Sequence, residues 1–274
     1  MGRGFKRQGP AARGRGLRHI HRWRAGSGDL LDLSEKDGVR SLHLGDEQVQ
    51  SAMRLASPDD LELGYTRAMM AFLLFLAQPR DILMVGLGGG SIAKFVHTRM
   101  PELRSTAVEI LPEVVAAARC FFRLPPDDER LRVVVAEGGA YVAEHPGSCD
   151  ALLLDGFSEG VHPESLATAA FFEAARAALR ERGVLSVNYI EQDRGFEASL
   201  TRMEAAFGGH VVLLPAEQQG NVIAFGLKGL PARLRWEDLR ERAEALEARL
   251  GLGFMRFLAA LRRCNRCSER GLDV

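Results

Sequence analysis

Short apolar runs alternate with segments of helical period through most of this chain. Within most of these runs, consecutive residues are apolar rather than every second one, which is typical of strands covered on both faces by helices. The run Val211–Leu214 and the run Val222–Gly226 lie close together around a Gln-Gln-Gly turn, so we expect one of them to run antiparallel. The pattern predicts an α/β domain with a mostly parallel sheet. The earlier strands are predicted at Ile82–Val85, Thr106–Ile110, Val133–Ala136, Ala151–Leu154 and Val184–Tyr189.

Helical and turn signals surround these strands. Apolar residues recur at helical spacing from Leu61 to Leu76, which predicts an amphipathic helix before the first core strand. Pro112 is placed to start a helix, and a helix over Phe171–Leu179 is expected to stop at Gly183. Ahead of the domain, an Asp37-Gly38 turn joins two short strands in a small β-hairpin region. After it, a charged helix and an apolar helix form the tail.

We divide the chain into four parts: a basic disordered arm at 1–28, a small N-terminal β region at 29–60, a Rossmann-like cofactor-binding domain at 61–229, and a C-terminal helical tail at 230–274. The arm carries seven arginines and lysines up to Trp23 without a single acid. It could be a nucleic-acid or anionic-surface arm, or merely a solvated terminus.

Composition narrows the class of protein. The 274 residues are 46% apolar and 26% charged, and the formal net charge is zero. With zero net charge, the protein has no overall electrostatic attraction to nucleic acid. No apolar run approaches the ~20 residues that a membrane-spanning helix needs. Four cysteines do not make a disulfide framework in a chain of this length. We expect a soluble cytoplasmic protein with neither nucleic acid nor a membrane as partner.

Candidate chemistry lies where the predicted strands end. Gly86, Gly88 and Gly90 stand in a glycine-rich loop between a strand and a helix, where the backbone can approach a nucleotide closely and free N–H groups are available. Glu109 ends the next strand, about 20 residues on, and a carboxylate there can accept both ribose hydroxyls.

Two more acids follow later strands. Glu137 with Gly138 could read an adenine amino group while leaving room for the ring. Asp155 follows a wholly apolar strand, so partial desolvation can raise its pKa towards that of a working base. Helix capping is the alternative role for Asp155. Cys264 and Cys267 have metal-like spacing, but a lone pair predicts free, exposed thiols and no metal site.

Four motifs in this order resemble the polyamine aminopropyltransferases, of the spermidine and spermine synthase type. The resemblance covers roughly Asp29 to Gly229 and is carried by the segments 82–90, 108–110, 136–142 and 150–155. It implies a Rossmann-like methyltransferase fold: a mostly parallel seven-stranded sheet with an antiparallel last strand. It also implies a homodimer and, as co-substrate, S-adenosylmethionine or decarboxylated S-adenosylmethionine, without a metal.

The same resemblance implies residue roles. The loop glycines would line the methionyl side, Glu109 the ribose and Glu137 the adenine. Asp155 would deprotonate the attacking amine. Tyr65 and Ser158 would belong to the acceptor-amine pocket, and Gln48 would be the substrate-binding glutamine near the cofactor tail.

Departures from the family pattern affect the acceptor side. Gly89 and Ser158 stand where the family carries aspartates, and Tyr65-Thr66-Arg67 places a cation where the family has an acid. These losses argue against tight binding of a diamine, although Glu159 and Glu191 are near enough in sequence to substitute. Because an aspartate at position 89 would repel the carboxylate of intact S-adenosylmethionine, Gly89 leads to the hypothesis that the intact cofactor is accepted at least as well as the decarboxylated one.

Three functions remain open at this point. The first is aminopropyl transfer to an amine, which yields methylthioadenosine. The second is methyl transfer to an unknown acceptor, which yields S-adenosylhomocysteine, and the third is cofactor binding without turnover. A dinucleotide dehydrogenase fits less well, because the third glycine of its fingerprint would fall at Ser91.

Overall fold

The computed structural model describes residues 17–24, 28, 30–45, 49–156, 163–217 and 220–274. The predicted site residues Gln48 and Ser158 lie outside the described residues, as does Glu159. An N-terminal antiparallel sheet precedes the main α/β domain, and its four strands pair in sequence order. They are β1 (Arg18–Arg24), β2 (Leu30–Lys36), β3 (Val39–Leu44) and β4 (Val49–Arg54).

The first strand corrects one prediction. The basic segment Arg18–Arg24 was expected to be disordered, yet it pairs with β2 over its whole length. Asp32 explains part of this order, because its carboxylate accepts hydrogen bonds from His19 at 2.7 Å and Arg22 at 2.8 Å. The Trp23 ring also lies 6.3 Å from the Phe121 ring of the main domain. Charge pairing and aromatic packing thus order a segment whose composition indicated disorder.

The second sheet has seven strands in the order β10-β11-β9-β8-β5-β6-β7. All pairs from β9 to β7 in that order are parallel, whereas β11 is antiparallel to both of its neighbours. The predicted fold class, a mostly parallel sheet with an antiparallel last strand, is therefore confirmed. The strands are β5 (Asp81–Val85), β6 (Arg104–Glu109), β7 (Leu131–Val135), β8 (Cys149–Leu154), β9 (Leu179–Ile190), β10 (Val211–Pro215) and β11 (Asn221–Lys228).

Helices cover both faces of this sheet. The helix predicted from Leu61 to Leu76 is a short α-helix followed by a 3-10 helix, and it is buried almost all round rather than amphipathic. The expected stop at Gly183 is also wrong, because the helix ends at Ala178 and Gly183 pairs with Lys228 inside β9. The helices of the main domain are α1 (Gly64–Met69), the 3-10 helices at Met70–Leu74 and Glu164–Leu166, α2 (Ser91–Arg99), α3 (Pro112–Phe121), α4 (Gly138–Glu144), α5 (Ala169–Ala178) and α6 (Phe196–Ala206).

The C-terminal segment packs onto the main domain. It consists of β12 (Arg233–Arg235), α7 (Trp236–Leu250), α8 (Phe254–Cys264) and β13 (Gly271–Asp273), with β12 and β13 paired. Phe254 and Leu261 of α8 are fully buried in the same apolar cluster as residues of β5 and β11. Within the described part of the chain, the helices are too short or too polar to cross a lipid bilayer.

Candidate active site

A cavity of about 360 Å³ opens where the parallel strands end. Its floor and one wall come from the residues that follow β5, β6, β7 and β8, and the N-terminal sheet contributes Leu42 and Leu44 of β3 and Gln50 and Ser51 of β4. The carboxyl edge of an open parallel sheet is where α/β proteins bind ligands. The volume is that of a small-molecule site.

The glycine loop forms one side of this cavity. Gly86 and Gly88 line it with positive φ angles of 93° and 52°. A Cβ at Gly86 would overlap the backbone carbonyl of Asp155, and one at Gly88 would overlap the Ser51 hydroxyl. Gly90 instead begins α2 in the left-handed region, and a Cβ there would meet Leu124 at 2.8 Å. The first two glycines thus let the loop approach its neighbours closely, whereas the third shapes the helix start.

Glu109 ends β6 beside the loop and is almost completely buried. Its carboxylate accepts hydrogen bonds from the backbone amides of Leu87 and Leu111, each at 3.0 Å. Burial raises the pKa of Glu109, and these amides oppose the rise. Since a carboxylate has about four acceptor positions, it can still accept from a ligand's hydroxyl groups.

The neighbouring Ile110 side chain is 59% exposed although it is apolar, and it lines the same cavity. It offers a flat ligand an apolar surface next to the Glu109 carboxylate.

Glu137 and Gly138 also line the cavity. The Glu137 carboxylate caps α4 by accepting from the backbone amides of Gly139 at 3.0 Å and Ala140 at 2.6 Å. A Cβ at Gly138 would overlap Val85, so this glycine allows α4 to pack closely on β5. The capping role was not part of the prediction for Glu137, and it leaves acceptor positions free for a ligand.

Asp155 lies on the cavity floor directly after β8. Its Oδ1 accepts a hydrogen bond from Asn188 at 2.8 Å, and the Tyr65 hydroxyl also hydrogen-bonds its carboxylate. Burial raises the pKa of Asp155 to about 7, although both hydrogen bonds act in the opposite direction. A carboxyl group with this pKa exchanges a proton readily near neutral pH, as a general base must.

Tyr65 comes from α1 and is buried beside this carboxylate. Burial, and secondly the Asp155 charge, raise the pKa of its phenol well above the usual range. The Gln50 carbonyl oxygen lies 3.1 Å from the same hydroxyl, so it and the Asp155 carboxylate share the single phenol proton. The structure therefore brings together Tyr65 and Asp155, two of the residues that the sequence nominated.

Comparison with known proteins decides the family. Residues 62–203 match the family model described as spermine/spermidine synthase domain. A polyamine aminopropyltransferase of Chromobacterium violaceum is 43% identical over 235 residues, which are 86% of this chain and 90% of that one. The chain belongs to the spermine/spermidine synthase family. This homology also confirms the prediction of a transferase of the aminopropyltransferase type.

Two solved structures extend the comparison. Spermidine synthase from Thermotoga maritima superposes with a TM-score of 0.69 at 20% identity, over 89% of this chain and 84% of that one. Human methyltransferase-like protein 13, solved in complex with SAH, superposes with a TM-score of 0.63 at 29% identity, over 69% of this chain and 92% of that one. The first shows the shared fold, and the second shows that methyltransferases are structural neighbours of the family.

The structure changes the consequences expected from the departures from the family pattern. Arg67 does not place a cation at the cavity, because its guanidinium donates to the carbonyls of Leu61 at 2.6 Å and Glu62 at 2.9 Å. A side chain at position 89 would meet the Phe122 ring at 2.8 Å and the Ser51 Cβ at 3.1 Å. Glu191 is exposed after β9 and is absent from the cavity wall. Among the described residues, Glu109, Glu137 and Asp155 are the carboxylates that line the cavity.

Sequence reasoning missed three residues at or beside the cavity: Gln50 and Ser51, which line it, and Asn188, which hydrogen-bonds Asp155. Gln50 lies two residues after the nominated Gln48. Ser51 accepts from the Gly89 backbone amide at 2.8 Å and so joins the N-terminal sheet to the glycine loop. Asn188 is one of two polar residues, with Ser186, in the mostly apolar run Val184–Tyr189, which was the available signal.

No cysteine is among the described residues that line the cavity. Cys264 and Cys267 are free and exposed, as predicted, while Cys149 is buried. In the ranges that the structure describes, no three histidine, cysteine, aspartate or glutamate side chains converge in a metal-binding arrangement.

Proposed function

We propose that this protein transfers an aminopropyl group from decarboxylated S-adenosylmethionine to an amine, with Asp155 as the general base. The observation that carries the proposal is the position of Asp155: its carboxylate lies on the floor of the cavity, next to Tyr65, with its pKa raised to about 7. An amine acceptor is what the polyamine aminopropyltransferase relatives imply by their name.

The cavity suits an adenosyl co-substrate. Gly86 and Gly88 allow the methionyl part to approach the loop, the Glu109 carboxylate accepts the ribose hydroxyls, and Ile110 contacts the base. Glu137 and Gly138 lie where an adenine edge would be read, and Gly90 starts the helix behind the loop. Family resemblance assigns Ser158 to the acceptor side together with Tyr65, and Gln48 to the surroundings of the cofactor tail. Gln50, which lines the cavity, is the glutamine that the described residues offer there.

The proposed reaction is a single displacement. The nitrogen lone pair of the acceptor forms a bond with the carbon next to the sulfonium, and the carbon–sulfur bond breaks with its electron pair passing to sulfur. Methylthioadenosine leaves, and Asp155 takes the proton that the new secondary amine must lose. A positioned base of suitable pKa contributes roughly 10²- to 10⁴-fold to such a rate.

Methyl transfer from intact S-adenosylmethionine is the second candidate. Gly89 suggested it, because an acid in that position would repel the cofactor's carboxylate, although Gly89 is not among the residues that line the cavity. Identity of 29% to a human methyltransferase-like protein over 69% of the chain points the same way. Restoring the acid with Gly89→Asp is a poor test, since Phe122 and Ser51 occupy the space that the side chain needs. The wild-type protein should instead be offered both forms of the cofactor.

The deciding experiment incubates the purified protein with each form of the cofactor and a panel of mono- and diamines, and identifies the products by mass spectrometry. Methylthioadenosine formed from the decarboxylated cofactor supports the proposal. S-adenosylhomocysteine from the intact cofactor would replace it with methyl transfer. Calorimetric binding without any product would indicate a non-catalytic homologue.

The role of Asp155 is tested by substitution. We expect Asp155→Asn to lower kcat by at least about 10²-fold, because the acceptor loses its base, while cofactor binding changes little. Glu204→Gln, which alters an exposed carboxylate on α6, is the matched control and should retain wild-type activity. Equal activity in the two variants would exclude Asp155 as the base.

A further inference from the structure

A row of three polar side chains crosses the carboxyl edge of the sheet. Asn188 donates from Nδ2 to Oδ1 of Asp155 at 2.8 Å, and Asn221 donates from Nδ2 to Oδ1 of Asn188 at 3.0 Å. Asn188 is only 2% exposed, so both ends of its amide are held in the protein interior. Buried amides are retained where their hydrogen bonds are satisfied.

Strand register produces this row. Leu154 pairs with Val187 in the parallel β8–β9 ladder, so Asp155 comes directly beside Asn188. In the antiparallel β9–β11 ladder, Asn188 pairs with Ile223, which makes Asn221 its diagonal neighbour on the same face. Three adjacent strands therefore bring one polar side chain each to the same place.

The orientation of the Asn188 amide follows from its two neighbours. An amide side chain has one accepting and one donating end, and a flip would point the oxygen of Asn188 at the Asp155 carboxylate. The ionised Asp155 carboxylate can only accept, so the NH₂ group of Asn188 faces it, and the Asn221 amide donates to the oxygen at the other end. Asn188 thus holds one carboxylate oxygen and leaves the other acceptor positions of Asp155 to the cavity.

The groups around Asp155 are otherwise few. Tyr65 on α1 is the titratable side chain that hydrogen-bonds it, and Gln50 and Ser51 of β4 are neutral. Glu109 after β6 and Glu137 before α4 are the other carboxylates on the described cavity wall. In the part of the chain that the structure describes, Asn188 and Tyr65 are therefore the neutral donors that stabilise the ionised form of Asp155.

We propose that Asn188 and Asn221 form a positioning relay that orients Asp155 and keeps its carboxylate ionised for proton abstraction. Asn188 is a positioning residue in this relay, because it touches the base rather than the acceptor. The inference rests on the proposed role of Asp155 and adds to it two residues from neighbouring strands. The positioning role distinguishes Asn188 and Asn221 from asparagines that contribute only to packing.

The test replaces Asn188 by leucine, which has nearly the same shape but no donor. A hydrogen bond to a charged group is lost, so we expect the pKa of Asp155 to rise by about one to two units. The acid limb of the kcat/KM profile should move upward by the same amount, lowering the rate roughly tenfold or more at pH 7 and much less at pH 9.5. KM for the cofactor should stay within about twofold.

Two further variants separate positioning from packing. Asn221→Leu should cause a smaller shift of the same sign, and Asn188→Leu/Asn221→Leu should shift no further than Asn188→Leu alone, because the relay acts as one unit. Ser186→Ala is the matched control: Ser186 is fully buried in β9 and donates to the Met69 carbonyl at 3.3 Å, away from Asp155. It should change stability without moving the pH profile.

A readout independent of turnover keeps this inference separate from the proposed function. The carboxyl ¹³C resonance of Asp155, assigned with Asp155→Asn, can be titrated by NMR in the wild-type and variant proteins. An upward shift in Asn188→Leu supports the relay even if no transfer activity is found. Superimposable titrations of wild type, Asn188→Leu and Asn221→Leu would overturn it, and Asn221→Leu alone decides the matter if the Asn188 variant does not fold.

Discussion

At the scale of single residues, two acids at the ends of nearby strands have different surroundings. The backbone amides of Leu87 and Leu111 hydrogen-bond the Glu109 carboxylate and oppose the effect of burial on its pKa. Among the described residues, Asn188 and Tyr65 are the donors to Asp155, and burial raises its pKa to about 7. Neighbouring carboxyl groups can take separate roles when their environments differ in this way. The fold thus suits Glu109 to ligand binding and Asp155 to proton transfer.

The raised pKa of Asp155 predicts a dependence of stability on pH. The folded protein binds the Asp155 proton more tightly than the unfolded chain, whose aspartates have a pKa of about 3.9. Between about pH 4 and pH 7 only the folded state keeps this proton, so the contribution of Asp155 to stability falls as the pH rises and stays constant above pH 7. Asp155→Asn should therefore stabilise the protein above pH 7, by a few kcal/mol and at most about 4.

Urea unfolding at pH 5.5 and pH 8 checks this expectation. The gain in unfolding free energy of the Asp155→Asn protein over wild type should be larger at pH 8. An equal gain at both values would mean that Asp155 does not titrate in this range in the folded state.

At the scale of elements, the loop from β5 to α2 is the segment on which the site depends. Its backbone amides bind Val108, Ser51 and the Glu109 carboxylate, and its first glycine contacts the backbone of Asp155. One loop therefore connects the N-terminal sheet, the ribose-binding candidate and the candidate base. Glycine is needed at position 86 because the loop backbone there lies against the backbone of Asp155, not because the loop must be flexible.

This account predicts a difference between two glycine substitutions. Gly86→Ala and Gly209→Ala both place a Cβ at a positive φ, 93° and 82°, but only at Gly86 does that Cβ overlap backbone atoms. Gly209→Ala should cost about 1–2 kcal/mol for the backbone conformation alone. Gly86→Ala should cost more and should reduce activity, because Asp155 must move. Equal unfolding free energies and unchanged activity would contradict the proposed packing.

At the scale of the whole molecule, both ends of the described chain pack on the central domain. The buried Lys94 of α2 donates to the carbonyls of Pro58 at 2.8 Å and Phe122 at 2.7 Å and contacts the Met53 sulfur, so it ties the N-terminal sheet to the helix behind the glycine loop. Burial lowers the pKa of this ammonium group to about 8. At the other end, Arg242 of α7 donates to the Leu74 carbonyl at 2.6 Å.

The C-terminal helices should therefore contribute to global stability. Phe254→Ala removes a fully buried ring from the main apolar cluster and should lower the free energy of unfolding by about 3–5 kcal/mol. The adjacent Met255 is 38% exposed, and Met255→Ala should change it by less than about 1 kcal/mol. Chemical denaturation of both variants makes the comparison. Similar small effects would indicate that α8 is an appendage.

The pattern of residues determined the sheet and the position of the site. Apolar runs bounded by glycines and acids place Gly86, Glu109 and Asp155 at strand ends, and parallel strands must bring such ends to one edge. The sequence motifs also indicated the family that the comparisons confirmed. These features are local in the chain, so a single sequence contains them.

The tertiary structure decided everything that depends on direction or on a distant partner. Only the fold shows that Arg67 turns to backbone carbonyls, that Glu137 caps α4, and that Arg18–Arg24 form a strand. The Asn221–Asn188–Asp155 row arises from the register of three strands that are far apart in sequence. Composition and spacing report residue types and local periods, whereas side-chain direction and strand register are settled by packing between elements.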